Sequence, residues 1–374
     1  MQRTIRVLHV GLSSNTGGIE TVVHSWFCNK PDYVQFDFIN VEKKPLAYED
    51  EFLKQGKIYN IPARRDNPYM MRRRLREIIE EGQYDYMHHH VMSLSWMDPA
   101  EIAFRNGRTI PVLHGHCIVD KHISRKYRLL HKIGERQLCG IKCEKLACCN
   151  EAGESMFYKQ PYEVIENGIE TDKFSYSDTK RNAIRTKYKI SDDEFVIGHV
   201  GRPGAQKNYP FILKTFSLLR KKNRNVKLLL IGNINNDPDI QNLIGLYRLK
   251  ESVILTGKVQ DTSKYYSAMD IFFFPSLYEG LSVALVEAQA SGLRCVAGKN
   301  ISGESDVSGL VTFIDIDDAQ KAADVLTQFL EQPRYDRTVC KIPSSYDIKE
   351  SSKKIFRFYN SHIQSRRGKI SGQI

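Results

Sequence analysis

The sequence predicts an α/β protein of two Rossmann-like domains, with parallel sheets facing each other across a crevice, and three observations predict it. Short apolar runs alternate with helical apolar periodicity along nearly the whole chain. A polar stretch from about Glu166 to Glu194 interrupts that alternation once, after which it restarts. The 374 residues are enough for two domains of about 100 to 200 residues each.

In chain order, the first strand reads Ile5 to Val10, followed by a glycine loop, Gly11 to Gly18, and an apolar-periodic helix from Ile19 to Cys28. Further strands are expected at Val34 to Asn40, Lys57 to Ile61, Tyr84 to His88, Ile110 to His114 and Lys145 to Cys149. A helix near Tyr69 to Glu81 gathers Met71, Leu75, Ile78 and Ile79 on one face. The next carries Arg125, Arg128, Lys132 and Arg136 as a stripe. Glu166 to Glu194 reads as a connector. The second half then places strands at Phe195 to Val200, Lys227 to Ile231, Val253 to Thr256, Ile271 to Phe274, Arg294 to Ala297 and Leu310 to Ile314. Helices intervene near Tyr209 to Lys222, Ile240 to Leu249, Ser263 to Met269, Leu281 to Ser291 and Ala319 to Glu331. In open parallel sheets ligands sit at the carboxyl ends of strands, so the chemistry is expected in the crevice between the domains.

Composition narrows the class. Hydrophobic residues make up 41% and charged residues 26%, the balance of a globular protein without disordered or collagenous bias. The longest apolar stretches, Lys227 to Gly232 and Ile271 to Pro275, fall far short of a membrane span. Eight cysteines are scattered without disulfide spacing, which suggests the cytoplasm. Cys139, Cys143, Cys148 and Cys149 crowd together in a spacing foreign to zinc sites, and buried thiols are expected. The net charge is +11, and residues 1–166 hold 24 basic against 21 acidic residues. The excess is local as well: Arg64, Arg65, Arg72, Arg73, Arg74 and Arg76 form one cluster, and Lys121, Arg125, Lys126, Arg128, Lys132 and Arg136 another. The tail from Lys353 to Lys369 adds six more basic residues. Each cluster suits an anionic partner or a solvated helix face.

The most informative segment runs from Pro275 through Leu293 as a strand end, a glycine loop and a helix opening near Leu281. Such a helix start aims free N–H groups and the positive dipole end at a phosphate. Glu279 precedes the helix, and Glu287 lies inside an otherwise apolar run; a carboxylate there needs donors, which vicinal sugar hydroxyls supply. This suits Glu287 on a ribose and Glu279 on a second sugar. In Ile197 to Asn208, a strand ending in glycines delivers Arg202 and Lys207 just ahead of a helix. Two cations there suit a diphosphate leaving group without a metal. Gly17 and Gly18 let backbone approach a ligand. His88-His-His90 and His114-Gly-His116 stand at strand ends, where polar contact with a sugar fits better than metal binding.

These segments resemble family 4 retaining glycosyltransferases of the GT-B fold, in particular the exopolysaccharide and capsule biosynthesis branch. The resemblance rests on Glu279-x7-Glu287 with its Pro-Ser-Leu-Tyr-Glu-Gly-Leu context, on Gly201-Arg with Gln206-Lys-Asn, and on Val164-Ile-Glu-Asn-Gly-Ile, Val34-Gln-Phe-Asp-Phe and Glu287-Ala-Gln-Ala. It implies a donor diphosphate on Gly201, Arg202 and Lys207, the nucleotide ribose on Glu287, and the transferred sugar on Glu279, Gly280 and Leu281. His116 matches the family's histidine beside the donor sugar, and Gly18 its N-terminal glycine loop. His114-Gly-His-Cys stands where the branch has His-Ser-His-Asn. By the same resemblance, residues 1–166 bind the acceptor, 167–346 bind the nucleotide sugar, and 347–374 form a helix returning to the first domain. The implied reaction is front-face transfer with retention from a nucleotide diphosphate sugar, UDP-linked, without cofactor or metal. The implied acceptor is a polyprenyl-diphosphate-linked glycan at the anionic inner face of the cell membrane, with no nucleic acid involved. A nucleotide-sugar 2-epimerase shares this architecture, and a polyanion-binding protein would also account for the charge.

Overall fold

The computed structural model describes residues 3–119, 125–333 and 335–371, with side chains through residue 361. Lys121 and the side chains of Arg366, Arg367 and Lys369 lie outside the described residues. The chain divides into two compact units, Met1–Gly168 with Ile348–Ile374, and Ile169–Asp347.

The first unit holds β1 (Ile5–Val10), α1 (Gly18–Cys28), β2 (Val34–Asn40), α2 (Glu49–Phe52), β3 (Ile58–Asn60), α3 (Pro68–Gly82), β4 (Tyr86–Val91) and α4 (Asp98–Asn106). It continues with β5 (Ile110–Gly115), α5 (Arg125–Gly140), β6 (Glu144–Ala147), α6 (Asn150–Phe157) and the two-residue β7 (Glu163–Val164), which the sequence pattern does not announce. The strands order as β3-β2-β1-β4-β5-β6-β7. Helix α3 shows how local chemistry sets an element. The Asn67 side chain accepts the Met70 N–H, Pro68 occupies the first turn, and the buried face is Met71, Leu75, Ile78 and Ile79.

The second unit holds α7 (Thr171–Phe174), α8 (Asp178–Lys187), β8 (Phe195–Val200), α9 (Tyr209–Lys222), β9 (Val226–Ile231), α10 (Pro238–Leu246) and β10 (Val253–Leu255). There follow α11 (Ser263–Ala268), β11 (Ile271–Phe274), α12 (Val283–Ala290), β12 (Arg294–Gly298), β13 (Val311–Ile314) and α13 (Ala319–Glu331). The order is β10-β9-β8-β11-β12-β13. All registered pairs in both sheets are parallel, as in β8 on β9 and β11 on β8. Strand order reverses between β1 and β4 and between β8 and β11, and the carboxyl edge at such a reversal is where open parallel sheets bind ligands.

The expected connector is folded instead. Helices α7 and α8 occupy it, and Arg181 and Arg185 reach inward to the two oxygens of Asp270 at 2.9 and 2.7 Å. A polar composition looks like a linker when its charges are in fact paired inside. The last helix, α14 (Ile348–Ser371), belongs with the first unit. Tyr86 Oη donates to the Tyr359 carbonyl at 2.6 Å, and Asn360 Nδ2 donates to Tyr33 Oη at 2.9 Å.

Candidate functional site

In the second unit the neighbouring strands β8 and β11 send their following loops into contact. The Leu277 N–H donates to Gln206 O at 2.8 Å, Gln206 Nε2 donates to Tyr278 O at 2.9 Å, and Asn208 Nδ2 donates to Pro275 O at 3.2 Å. The result is that Lys207 and Glu279 meet: Nζ lies 2.6 Å from Oε1, with each side chain about one-seventh exposed (13% and 14%). The ammonium also sits 4.5 Å from the centre of the Phe274 ring. Arg202, on the same loop, is exposed, and its guanidinium has no ion pair among the described residues. Gly201 anchors that loop through its carbonyl, which accepts from Tyr209 Oη at 2.7 Å. Across from it Gly232 has φ +151°, and a Cβ there would lie 1.9 Å from Gly201 O, so only glycine fits.

Helix α12 opens at Val283 rather than Leu281, with Ser282 as an N-cap whose side chain makes no capping bond. Leu281 is buried ahead of the helix, and the Gly280 carbonyl accepts from Ser305 Oγ at 3.1 Å. Glu287 lies in the second turn, buried, and accepts from Tyr266 Oη at 2.9 Å. Burial pushes its carboxyl up to about 7, with the Tyr266 hydrogen bond opposing.

Sequence reasoning missed His199 and Tyr266. Buried His199 donates from Nδ1 to Phe273 O at 2.9 Å, tying β8 to β11. A Cβ on Gly201 would meet its Nε2 at 2.8 Å, so this ring floors the loop carrying Arg202 and Lys207. Burial lowers its pKa to about 3 and keeps it neutral. The available signal was a histidine inside an apolar strand two residues before the loop.

In the first unit, Gly17 is the N-cap of α1 and Gly18 its first residue. Glu20 folds back beneath the loop, accepting from Ser13 N–H at 3.0 Å and Ser13 Oγ at 2.8 Å. His88, His89, His90 and His114 lie buried within β4 and β5, and buried His116 follows the last residue of β5. Register sets His9 beside His88 and His90 beside His114, and all of them are buried. Two hydrogen-bonded runs result. One joins Tyr359 Oη to His88 Nδ1 (2.6 Å) and His88 Nε2 to His114 Nδ1 (3.1 Å). The other joins His9 Nδ1 to His90 Nε2 (3.0 Å) and His90 Nδ1 to His116 Nε2 (2.9 Å). Burial lowers His116 to about 3 and His90 well below its usual range, so the rings are neutral. A neutral imidazole has one N–H and one acceptor nitrogen, so the tautomers of His9, His90 and His116 are linked.

Similarity to known proteins agrees with this arrangement. The family model for glycosyl transferases group 1 matches residues 180–343. A protein of Bacillus subtilis (strain 168) described as a glycosyltransferase, EpsF, is 31% identical over 323 residues, which is 83% of this chain and 84% of that protein. The chain belongs to the group 1 glycosyltransferases. The resemblance read from Glu279, Glu287 and their context is thereby borne out at the level of the family. This glycosyltransferase is also 26% identical over 321 residues to the UDP-Gal:alpha-D-GlcNAc-diphosphoundecaprenol alpha-1,3-galactosyltransferase of Escherichia coli, covering 80% of this chain and 81% of that one. Among solved structures, Anabaena Alr3699/HepE in complex with UDP and glucose superposes with a TM-score of 0.78 at 16% identity, covering 96% of this chain and 100% of the other. That likeness establishes the fold, the two Rossmann-like units of the GT-B class.

Proposed function

We propose that this glycosyltransferase moves a sugar, with retention, from a UDP-sugar to a polyprenyl-diphosphate-linked glycan in exopolysaccharide or capsule synthesis. The observation that carries the reading is the Lys207–Glu279 pair, delivered by two adjacent strand-end loops beside the start of α12. A carboxylate holds the lysine in place without ligand. An arriving diphosphate, with more charge to neutralise, takes over the ammonium and the exposed Arg202. Glu279 is then left to accept hydroxyls of the transferred sugar, with the backbone at Gly280 and Leu281 alongside and Gly201 lining the diphosphate. Glu287 takes the ribose diol. His116, neutral, serves the sugar as a hydrogen-bonding group, and Gly18 opens the first unit's loop to the ligand.

In the reaction the bond from the anomeric carbon to the diphosphate oxygen breaks, and the electron pair leaves with the diphosphate. That oxygen accepts the acceptor hydroxyl's proton as the new glycosidic bond forms on the same face. Arg202 and Lys207 meet charge that grows towards the transition state, so the scheme requires no metal. The names of the Escherichia coli relative and of the HepE complex support a UDP donor and a lipid-linked acceptor. No helix among the described residues is long and apolar enough to cross a membrane. We assign the protein to the cytoplasmic membrane surface, held there by α5.

The test is release of free nucleotide diphosphate from a panel of nucleotide sugars. UDP-sugars should be used, and Arg202→Ala and Lys207→Ala should each lower turnover by roughly 10² to 10³ while weakening donor binding less. Added Mg²⁺ or Mn²⁺ should not restore the variants. Unchanged turnover in Lys207→Ala would sink the assignment.

A further inference from the structure

Away from the strand-end loops, His24 and Cys28 stand four residues apart on one face of α1, and Glu51 reaches them from α2. Two contacts converge on a single atom: His24 Nε2 lies 2.6 Å from Glu51 Oε2 and 3.4 Å from Cys28 Sγ. A nitrogen, a thiol sulfur and a carboxylate oxygen thus converge on one point, and these are the ligand atoms that zinc takes. The three ligand atoms lie within 4.8 Å of one another. Around tetrahedral zinc, nitrogen, sulfur and oxygen ligands stand roughly 3.3 to 3.6 Å apart, so the His24–Cys28 separation of 3.4 Å already fits, while the Glu51 carboxylate, 2.6 Å from the ring nitrogen, moves back by about 1 Å when an ion enters. The ring is pre-oriented: Tyr48 stacks on it with centroids 4.0 Å apart and planes 9° off parallel, and Tyr48 Oη lies 3.3 Å from Thr21 Oγ1.

The geometry points to a zinc site made of His24, Cys28 and Glu51, with a fourth position left to solvent or an outside ligand. Thiolate and carboxylate together balance the charge of a divalent ion. Cys28 is exposed and the Glu51 side chain is 47% exposed, so the ion enters without opening the core. The buried histidine triads of the sheet offer neither an anionic ligand nor an entry path. The site has a structural consequence. Segment 42–52 already grips the glycine loop, through Ser14 N–H donating to Glu42 Oε2 at 2.8 Å and Ala47 N–H donating to Ser13 O at 3.0 Å. Zinc would therefore clamp α1, which opens at Gly18, to that segment.

The full chain, stripped with chelator, is titrated with Co²⁺ and then Zn²⁺. A single equivalent of Co²⁺ should give a thiolate-to-cobalt charge-transfer band that Zn²⁺ displaces. Cys28→Ser should abolish the band, and Glu51→Gln and His24→Gln should weaken Zn²⁺ by about a hundredfold or more. Cys139→Ser, at another exposed thiol, should leave both unchanged. Circular dichroism of the metal-free variants checks that they fold. No band, a band that survives in Cys28→Ser, or equal Zn²⁺ affinity in Glu51→Gln overturns the site. This readout is independent of donor use, so its failure leaves the transferase reading untouched.

Discussion

Burying a carboxylate with one hydroxyl partner makes Glu287 a proton-coupled ligand. Free, the group sits near 7, raised chiefly by burial. Two hydroxyls of a ribose would add donors to the charged form and pull the value down, so donor binding should release a proton wherever the free protein still holds one. Affinity for a nucleotide sugar, whose diphosphate diester does not titrate near neutrality, should rise by about tenfold from pH 6 to pH 8. Glu287→Gln should remove that dependence, and Glu287→Ala should cost about 2 to 4 kcal/mol of donor binding. Calorimetry in two buffers of different ionisation enthalpy reads both proton release and affinity; wild-type affinity in Glu287→Ala would defeat the assignment. The charged residues of this region were legible because Lys207, Glu279 and Glu287 interrupt glycine-bearing or apolar runs. Their supports, Tyr266 and His199, were not, since an aromatic ring in an apolar run looks like core until its polar atom is seen to have a partner.

Among the elements, two helices looked alike in sequence and differ in the fold. In α3, Arg72 pairs with Asp98 and Glu101, and Arg73 and Arg74 pair with Glu77; nearby Arg64 also reaches Asp98. Arg72, Arg73 and Arg74 are thus a paired surface, and the acids that pair them lie partly on α4, which no periodicity could reveal. In α5, by contrast, Arg125, Lys126, Lys132 and Arg136 have no ion pair among the described residues. Its buried contacts are only His131, Gly134 and Leu138, while Tyr127, Leu129 and Ile133 are 58%, 61% and 42% exposed. Basic and apolar side chains on one solvent-facing helix match an anionic bilayer surface. Arg125→Glu, Arg128→Glu and Lys132→Glu together should abolish sedimentation with anionic vesicles, each cation contributing about 1 kcal/mol. Donor binding should survive. Wild-type association should weaken with salt, as the Debye length falls from about 10 Å at 0.1 M to about 3 Å at 1 M. Vesicle binding that is absent in wild type, or unaltered by the reversal, would return α5 to the role of a solvated face.

At the scale of the whole molecule, alternating strand and helix patterns carried both parallel sheets, because buried parallel strands are apolar throughout and need covering helices. Beside Asp37 and Asn40 of β2, the buried polar residues inside those strands are histidines. Among the described residues seven buried histidines, at 9, 88, 89, 90, 114, 116 and 131, belong to the first unit, and His199 alone to the second. Burial lowers His9, His89, His116 and His199 from 6.5 to about 3, and His88, His90 and His114 well below 6.5. With a depressed folded value, the unfolded chain binds more protons as pH falls below 6.5. Stability is therefore full above about pH 6.5 and is lost as pH falls below it, at about 1.4 kcal/mol per pH unit for each histidine that stays neutral in the fold. In the second unit Glu287 has the opposite sign, since its raised value lets the folded form bind the extra proton between 4.5 and about 7. His199 and Glu287 thus roughly offset each other, and acid should act on the first unit far more than on the second. Both tryptophans, Trp26 and Trp96, lie in the first unit, ring to ring with His114 and His89. Tryptophan fluorescence should accordingly show the urea midpoint falling steeply from pH 7.5 to pH 5.5, ahead of the far-ultraviolet dichroism signal that sums both units. A tryptophan midpoint that stays constant over that range would mean these histidines are not held neutral by burial.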